Sequence, residues 1–413
     1  MAIPPLGLYL HVPFCAAICN YCNFNRGLLD ADLKRRYVAS LVREIRAENA
    51  GLPSTVLRPG KARAIPAPAR ATPAPARATL GRAADTIYFG GGTPSLLDPA
   101  EIAGAIQACR EAFEVEPGAE VTMEANPETV TPDRLAAYRA AGVNRLSFGV
   151  QSFRDIELHR LGRLHDAARA RAAVADARAA GFDNLSLDLM LWLPGQSRDD
   201  VGTSVEELIA LYPEHASLYL LEIYPNAPLE DEMARAGWSQ APDDDAADMY
   251  LDAMERLESA GYEQYEISNV ARPGRRSRHN LKYWTDGEWR GFGCGAHSTV
   301  GHVRWNNVAS ASEYVSRLEH DVSPVAARRE LSPREQLEEA LFMELRLSDG
   351  VRLERVREHY GVDVWQQWGE RLAPFEEAGL LEHDDHRLRL TRRGMLLAND
   401  VMSAFLEAGS TVK

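Results

Sequence analysis

Along the first two-thirds of the chain, short runs of β-branched, leucine and aromatic residues alternate with longer runs of helical periodicity. The short runs predict strands at Leu6–Val12, Asp85–Phe89, Glu120–Glu124, Arg145–Val150, Leu185–Met190 and Ala216–Leu221. The longer runs predict helices over 31–50, 99–113, 131–141, 165–181, 198–211 and 244–260. Strands that alternate with helices favour a parallel sheet covered by helices. Six strands are too few to close an eight-stranded barrel, so we expect an open or partial barrel with its ligand site at the carboxyl ends of the strands.

The pattern changes after about residue 331. Helical runs at 333–346, 352–360 and 364–379 precede a hairpin-like run, LLEHDDHRLRLTRRG, and a last helix near 394–407. Three helices and a hairpin predict a small winged-helix-like α+β domain. Residues 331–413 carry 11 basic and 16 acidic side chains, which favours a structural or partner-binding role over DNA reading. We therefore divide the chain into a core over 1–230, a core-closing accessory region over 231–330 and the small domain over 331–413.

The region from Leu52 to Arg82 interrupts the alternation. It contains a tandem repeat, PAPARAT, at 66–72 and again at 73–79, and it has six basic residues and no acidic one. Alternating proline removes backbone donors and favours an extended, solvated chain. A segment that binds an acidic partner is one interpretation, but a disordered insertion between the first helix and the second strand is the favoured one.

Composition narrows the classes of function. The 413 residues include 60 acidic and 46 basic side chains, a net charge of -14, whereas proteins that grip a phosphate backbone usually show a basic excess. The sequence has no run of 18 apolar residues. Its apolar start lacks a basic residue before Arg26 and is broken by prolines, which argues against a signal peptide. We expect a cytoplasmic protein without nucleic acid as a partner.

Three of the five cysteines fall within eight residues, directly after the first predicted strand. Cys15, Cys19 and Cys22 form a C-x3-C-x2-C pattern, and such clustering indicates a metal because five cysteines in 413 residues make no disulfide framework. A structural zinc ion needs four ligands, and His11 would have to be the fourth. An iron–sulfur cube held by three thiolates instead leaves one iron open to a small-molecule ligand.

This cysteine pattern after a first strand, with Tyr21 before the last cysteine, resembles the radical S-adenosylmethionine (SAM) superfamily. The resemblance implies a [4Fe-4S] cluster on the three cysteines, SAM on the open iron, and reductive cleavage of SAM to a 5′-deoxyadenosyl radical. Polar residues near the ends of the predicted strands are similar in order to the SAM contacts of the oxygen-independent coproporphyrinogen III oxidase group. They are Gly91, Gly92 and Thr93 of GGGTP, then Glu124, Gln151, Arg163 and Asp188, with Tyr9 and Tyr21 as aromatic contacts.

Two branches of that group differ near the cysteines. The decarboxylating dehydrogenases carry a further cysteine two residues after the third, whereas this chain has Phe24, as in the haem chaperone (HemW-type) branch. The run HNLKYW at 279–284 is similar to the H-N-x-x-Y-W haem motif of that branch. It offers an imidazole for axial iron ligation and aromatic rings to stack on a porphyrin, while a buried structural histidine is the alternative. The resemblance implies haem contacts at His279, Asn280, Tyr283 and Trp284.

Three further residues bear on this interpretation. The branch usually has Tyr-Gly before LPGQ, whereas this chain has Leu191 and Trp192, and an indole at a glycine position is expected to narrow the SAM site. Cys294 lies in GFGCGAHS, which resembles the loop that closes the core of the group. We expect Cys294, like Cys109 on a predicted helix, to be a packed residue and not a ligand.

The sequence thus predicts a partial (βα)6 radical-SAM barrel with a small winged-helix-like C-terminal domain. The resemblance implies a [4Fe-4S] cluster, SAM and haem as cofactors, haem transfer to an apo-acceptor protein, and an electron donor for the cluster. Oxidative decarboxylation of coproporphyrinogen III is the alternative, so enzymatic activity stays open, as do an acceptor at the membrane surface and a homodimer. The acidic composition disfavours a radical-SAM enzyme that modifies tRNA.

Overall fold

The computed structural model describes residues 4–48, 82–224 and 227–406. The predicted insertion over 52–82 lies outside these ranges apart from Arg82, so it stays a prediction. Within the described ranges, no helix has the length and apolar character that crossing a membrane requires.

A sheet of twelve strands forms the core. In chain order the strands of the structure are β1 (Leu6–Val12), β2 (Phe14–Cys15), β3 (Gly27–Leu28), β4 (Ala83–Gly91), β5 (Glu114–Ala125), β6 (Arg145–Gln151), β7 (Leu185–Leu191), β8 (His215–Leu220), β9 (Glu263–Gln264), β10 (Asn269–Ala271), β11 (Trp289–Phe292), β12 (His297–Val300), β13 (Val303–Asn307), β14 (Val325–Glu330), β15 (Val351–Arg352), β16 (Leu381–His383) and β17 (Arg387–Leu390). The order in the large sheet is β14-β13-β12-β11-β1-β4-β5-β6-β7-β8-β10-β9. Its central strands, from β11 to β8 in this order, run parallel, and the outer strands pair antiparallel.

Helices follow most of the parallel strands. They are α1 (Ala31–Ala47), α2 (Pro99–Ala112), α3 (Pro132–Ala141), α4 (Asp155–Arg160), α5 (Ala167–Ala179), α6 (Arg198–Leu211), α7 (Pro228–Ala236), α8 (Asp243–Ser259), α9 (Arg278–Trp284), α10 (Ala311–Glu319), α11 (Pro333–Glu344), α12 (Leu353–Tyr360), α13 (Val364–Glu377), α14 (Arg392–Leu396) and α15 (Ala398–Ser403). Side-chain caps fix where several of them begin. The Asp30 carboxylate accepts a hydrogen bond from the Leu33 amide at the start of α1, and the Ser197 hydroxyl accepts one from the Asp200 amide at the start of α6.

The six predicted strands are all present, and the bounds of β1 and α6 match the prediction residue for residue. The pattern does not predict a seventh parallel strand, β11, which pairs with β1. Its four residues, WRGF, include arginine and glycine and show no apolar alternation. Short strands of this composition form because a neighbour already presents an open edge, which is a tertiary effect that local pattern does not record.

Side chains on the central strands alternate between two chemically different faces. One face is apolar and packs against the helices, with Leu10, Phe89 and Phe148 fully buried there. We call the opposite side the inner face; it carries polar and aromatic residues, namely Tyr9, His11, Thr86, Tyr88, Glu120, Thr122, Glu124, Arg145, Ser147, Gln151, Ser186, Asp188, His215, Ser217 and Tyr219. A closed parallel barrel usually fills its interior with branched apolar residues. The polar inner face, on which Tyr219 is 43% exposed, is therefore suited to a ligand.

The C-terminal residues form a second hydrophobic core. Helices α11 to α13 pack around Leu341, Leu372 and Phe405, and β15, β17 and β16 form a three-stranded sheet beside them. The predicted last helix is two short helices, α14 and α15, in the described residues. These elements confirm the predicted fold class, a partial α/β barrel with a small C-terminal α+β domain.

Candidate functional site

The loop that carries the three cysteines leaves the sheet directly after β1. Strands β2 and β3 pair with each other and close its ends. Cys15 is buried, Cys19 and Cys22 are half-buried, and all three thiols are free. Within the loop the Cys22 amide donates to the Cys19 carbonyl oxygen at 3.3 Å, and the Arg26 guanidinium donates to the Cys22 carbonyl oxygen. The sequence thus folds a short loop that brings three thiols to the carboxyl edge of the sheet.

The donor set fits a cube better than a single ion. Among the described residues, no group of three or more His, Cys, Asp and Glu side chains is close enough to hold one metal ion. A [4Fe-4S] cluster does not need such convergence, since each thiolate binds a different iron. The fourth ligand that zinc would need is engaged, because His11 Nε2 bonds to the Asn25 carbonyl oxygen at 2.8 Å and Nδ1 bonds to the Tyr9 hydroxyl at 3.0 Å. Burial also lowers the pKa of His11.

The glycine-rich turn at the end of β4 docks on the cysteine loop. Gly91 has φ +115°, and a Cβ there would lie 2.5 Å from the His11 ring. A Cβ on Gly92 would lie 2.7 Å from the Phe14 carbonyl oxygen. The Gly92 amide donates to Val12 at 2.7 Å, and the Thr93 amide donates to Phe14 at 2.8 Å. The observed close approach is therefore to the protein's own chain, and contact with the amino group of SAM stays a prediction.

Arg163 joins the cysteine loop to the sheet. Its Nη1 donates to the Cys19 sulfur at 3.4 Å, and its Nη2 donates to Asn126 Oδ1 at 2.9 Å and to the Gly149 carbonyl oxygen at 2.8 Å. Its Nε is buried and has no hydrogen-bond partner. A cation at a cysteine sulfur stabilises the thiolate form, which is the form that binds metal. Tyr21 contacts the same guanidinium, and its ring packs with Leu161 and neighbouring apolar residues.

Two carboxyl groups lie at the centre of the inner face. Glu124 Oε1 accepts from the Tyr88 hydroxyl at 2.8 Å, and Oε2 accepts from the Gly91 amide at 3.0 Å. Burial raises the pKa of Glu124 to about 7 against these hydrogen bonds. Burial also raises the pKa of Asp188 to about 6, although the Ser147 hydroxyl donates to it at 3.3 Å. Both groups change charge close to neutral pH, as residues at functional sites often do.

Two non-glycine residues near this site have left-handed backbone conformations. Gln151, at the end of β6, has φ +70°. Trp192, after β7, has φ +62°, which explains physically why glycine suits this position. The Trp192 indole N–H donates to the Ala241 carbonyl oxygen at 2.7 Å, so the ring is held against the segment that leads into α8. The expected narrowing of the SAM site stays a prediction. Strain of this kind persists where the surrounding structure enforces it.

Helix α9, which carries the HNLKYW run, lies at the opposite end of the inner face from the cysteine loop. His279 is buried, and both ring nitrogens are hydrogen-bonded within the protein: Nδ1 to the Thr86 hydroxyl at 2.8 Å and Nε2 to the Tyr283 hydroxyl at 2.9 Å. Burial lowers the pKa of His279 to about 3, so the ring is neutral. The imidazole is therefore not free to bind iron in this arrangement, which differs from the sequence-based expectation. Asn280 and Trp284 are partly exposed.

Tyr88 connects helix α9 with the carboxyl groups. Its ring stacks on the His279 ring at a centroid distance of 5.0 Å and an angle of 26°. Its hydroxyl donates to Glu124. The structure thus brings the predicted SAM and haem residues into one contiguous aromatic and polar network, which sequence spacing alone does not predict.

Sequence reasoning missed Tyr88, Asn126 and Arg145, although a signal exists for each. Tyr88 and Arg145 share the alternating phase of Gly90 and Ser147 on their strands, so the period-two pattern assigns them to the inner face. Asn126 follows β5 directly, where ligand residues of parallel sheets collect. The two unreactive cysteines are as predicted: Cys109 and Cys294 are fully buried.

The geometry agrees with comparisons to known proteins. The family described as Radical SAM superfamily matches residues 9–208, and that described as HemN C-terminal domain matches residues 331–397. The chain is 33% identical to the Bacillus subtilis (strain 168) protein named heme chaperone HemW, over 96% of this chain and 98% of that protein. It is 36% identical to the Mycobacterium tuberculosis (strain ATCC 25618 / H37Rv) protein of the same name, over 97% of this chain and 95% of that protein.

A solved structure shows the same fold. The structure of coproporphyrinogen III oxidase (HemN) from Escherichia coli, described as a radical SAM enzyme, covers 98% of this chain and 90% of its own, with 23% identity and a TM-score of 0.81. The parallel sheet and the three-cysteine loop define a radical SAM fold. With relatives of this identity along nearly its whole length, the chain belongs to the radical SAM superfamily and, within it, to the family named heme chaperone HemW. Membership implies a [4Fe-4S] cluster and SAM as cofactors.

Proposed function

We propose that the protein is a haem chaperone, which binds haem as cargo and passes it to an apo-acceptor protein. One observation carries the proposal: the three-thiol loop and helix α9 lie at the two ends of one polar inner face and are connected through Tyr88. The names of the relatives that match nearly the whole chain support the same function. The proposal includes a cytoplasmic location and an electron donor for the cluster.

The residues proposed for the resident cofactors all lie at or near the carboxyl edge of the sheet. Cys15, Cys19 and Cys22 would hold the [4Fe-4S] cluster, which when bound supplies the electron for reductive cleavage of SAM. Arg163 stabilises the Cys19 thiolate and fixes the loop to β6, while Glu124 and Asp188 accept hydrogen bonds from a ligand on the inner face. The residues proposed for SAM are Tyr9, Tyr21, Gly91, Gly92, Thr93, Glu124, Gln151, Arg163 and Asp188.

Haem contact at His279, Asn280, Tyr283 and Trp284 has one structural requirement. If iron is to bind His279 Nε2, the Tyr283 hydroxyl must first release that nitrogen. Tyr283 also packs edge-on against Trp289 at 4.8 Å, so the aromatic ring can stay in place while its hydrogen bond opens. Rings at this position offer the apolar surface that a porphyrin face needs.

A haem titration under anaerobic conditions tests the proposal. We expect the cluster-loaded protein to give a haem Soret band that is weakened in His279→Ala and Trp284→Ala. Tyr283→Phe keeps the ring and removes the hydroxyl that occupies Nε2, so iron ligation by His279 predicts equal or tighter binding in that variant. His320→Ala, which removes an exposed histidine, is the matched control.

Coproporphyrinogen III with SAM and a reductant tests the alternative in parallel. The chain has Phe24, 67% exposed, at the position where the decarboxylating branch carries a cysteine. We expect no decarboxylated product. Steady decarboxylation, together with haem binding that is indifferent to His279, would reject the chaperone and support the dehydrogenase.

A further inference from the structure

Arg145 is the largest fully buried side chain in the described part of the chain, and it is 1% exposed. Its Nε has no hydrogen-bond partner, and no carboxylate of the described residues forms an ion pair with its guanidinium. The other deeply buried arginine of this sheet behaves differently, because Arg290 pairs with Glu48 at 2.7 Å and with Glu44 at 3.3 Å. A buried, unpaired guanidinium is costly, so its presence calls for a ligand or another explanation.

The residue beside Arg145 is unsatisfied as well. Arg145 is the first residue of β6 and lies in register with Thr122 of β5, so both side chains belong to the inner face. The Thr122 hydroxyl is buried and has no hydrogen-bond partner. Two neighbouring strands therefore present a guanidinium and a hydroxyl, both without partners, at the amino-terminal end of the inner face. Burial of two adjacent unsatisfied groups is rare in folded proteins.

The charges around this position leave the guanidinium unmatched. Glu124 and Asp188 lie further along the inner face, and burial raises the pKa of both groups toward neutrality. His215 is bonded to Ser186 and Tyr265, each at 2.8 Å, and burial lowers its pKa. His279 is neutral and bonded as described above. The positive charge of Arg145 lies within electrostatic range of all four groups, and each has its own hydrogen-bond partners.

We propose that Arg145 and Thr122 form a carboxylate-binding floor for the molecule that the inner face holds. A guanidinium binds a carboxylate through two parallel, charge-assisted hydrogen bonds, and a hydroxyl can donate a third. The inference rests on the proposed function for its ligand: haem carries two propionates, and SAM carries one carboxylate. A propionate at the floor would set the porphyrin between helix α9 and the carboxyl edge of the sheet.

The decisive measurement compares haem with haem dimethyl ester, which lacks free carboxylates but keeps the porphyrin. We expect wild-type protein to bind haem more tightly than the ester by about tenfold or more, since charge-assisted hydrogen bonds are strong. In Arg145→Met this ratio should fall to near one, with Arg145→Lys in between. Arg43→Met removes the same charge from an exposed salt bridge to Asp321, and its ratio should match wild type. An equal affinity for both ligands in wild type, or a ratio that survives in Arg145→Met, would overturn the proposal unless the SAM titration described below assigns the carboxylate to SAM.

Three further readouts separate the sources and the alternatives. A loss of SAM affinity in Arg145→Met with an unchanged haem-to-ester ratio assigns the carboxylate to SAM. If wild type binds no haem, the proposed function fails, and sodium propionate then tests the floor: it should raise the thermal midpoint of wild type and not of Arg145→Met. Finally, the midpoint of ligand-free Arg145→Met should stay level or rise, because an unpaired buried charge is removed. A fall of several degrees would show that Arg145 balances Glu124 and Asp188, and the floor would be rejected.

Discussion

Single residues in unusual environments concentrate on the inner face. Glu124 and Asp188 are carboxyls with raised pKa values, Gln151 has a left-handed backbone, and Arg163 donates to a cysteine sulfur. Each arrangement costs folding free energy in the ligand-free protein, and such costs are retained where a ligand compensates for them. The residue scale therefore locates the site independently of motif similarity.

The first prediction concerns the cysteines. Replacing Cys15, Cys19 or Cys22 by Ala should abolish the brown absorbance after anaerobic reconstitution, because no other thiol in the described ranges is at the loop. Cys109→Ala and Cys294→Ala are controls and should keep the absorbance, since both thiols are fully buried in packed surroundings. Loss of iron in a control variant alone would contradict the assignment.

The second prediction follows from the sign of the Glu124 shift. A carboxyl whose pKa is raised from 4.5 to about 7 stabilises the fold fully below pH 4.5 and loses that contribution as pH rises through 7. Glu124→Gln lacks this loss, so its thermal midpoint should match wild type near pH 5 and exceed it by a few degrees at pH 8. Glu319→Gln is the control, because Arg36 lowers the pKa of that exposed carboxyl and the sign is opposite. A difference that does not vary with pH would show that Glu124 is not a buried, titrating group.

At the scale of elements, helix α9 contacts both the inner face and the C-terminal domain. It has seven residues, too few to be stable alone, so its position depends on its cap and on packing. The Ser277 hydroxyl accepts from the Asn280 amide at 3.3 Å and provides that cap. His279 and Lys282 fix the helix to the sheet through Thr86 and Asp85.

The third prediction tests this cap with a matched pair. Ser277→Ala and Ser310→Ala each remove a serine cap, at α9 and α10, and each should cost about 1 kcal/mol of unfolding free energy in a denaturant titration. Only Ser277→Ala should also weaken haem binding, because it loosens the helix that carries the haem residues. Equal haem affinity in both variants would separate α9 from the haem site.

Elements with a strong local signal are the ones that sequence predicts. β1, with apolar Leu8 and Leu10 alternating, and α6, with a Ser197 capping box, match their predicted bounds. β11 is absent from the prediction because it forms only against an existing edge. The site residues are predictable where a motif carries them, as in the cysteine loop. The occupied nitrogens of His279 and the unpaired Arg145 depend on contacts between distant strands, which local pattern does not contain.

At the scale of the whole molecule, the C-terminal domain is fixed to the core through Arg346. Its guanidinium pairs with Glu266, which is fully buried, at 3.2 Å, and lies 4.5 Å over the Trp284 ring. Tyr360 adds a hydrogen bond from its hydroxyl to Asp286 at 3.0 Å. The domain therefore contacts the residues that directly follow the predicted haem contacts, and its docking can influence them.

The last prediction is that this docking depends on charge and on pH. Burial raises the pKa of Glu266, and Arg346 opposes the rise, so Arg346→Met leaves an unmatched carboxylate whose pKa rises further. A raised pKa means stability that is lost as pH rises, so the variant should lose about 2 kcal/mol at pH 8 and less at pH 5. Glu266→Gln in the same background should recover part of the loss. Arg389→Met breaks an exposed pair with Glu382 and should cost under about 1 kcal/mol at either pH. Denaturant titrations at the two pH values measure all four proteins, and a loss in Arg346→Met that is equal at both would rule out the buried pair as the docking contact.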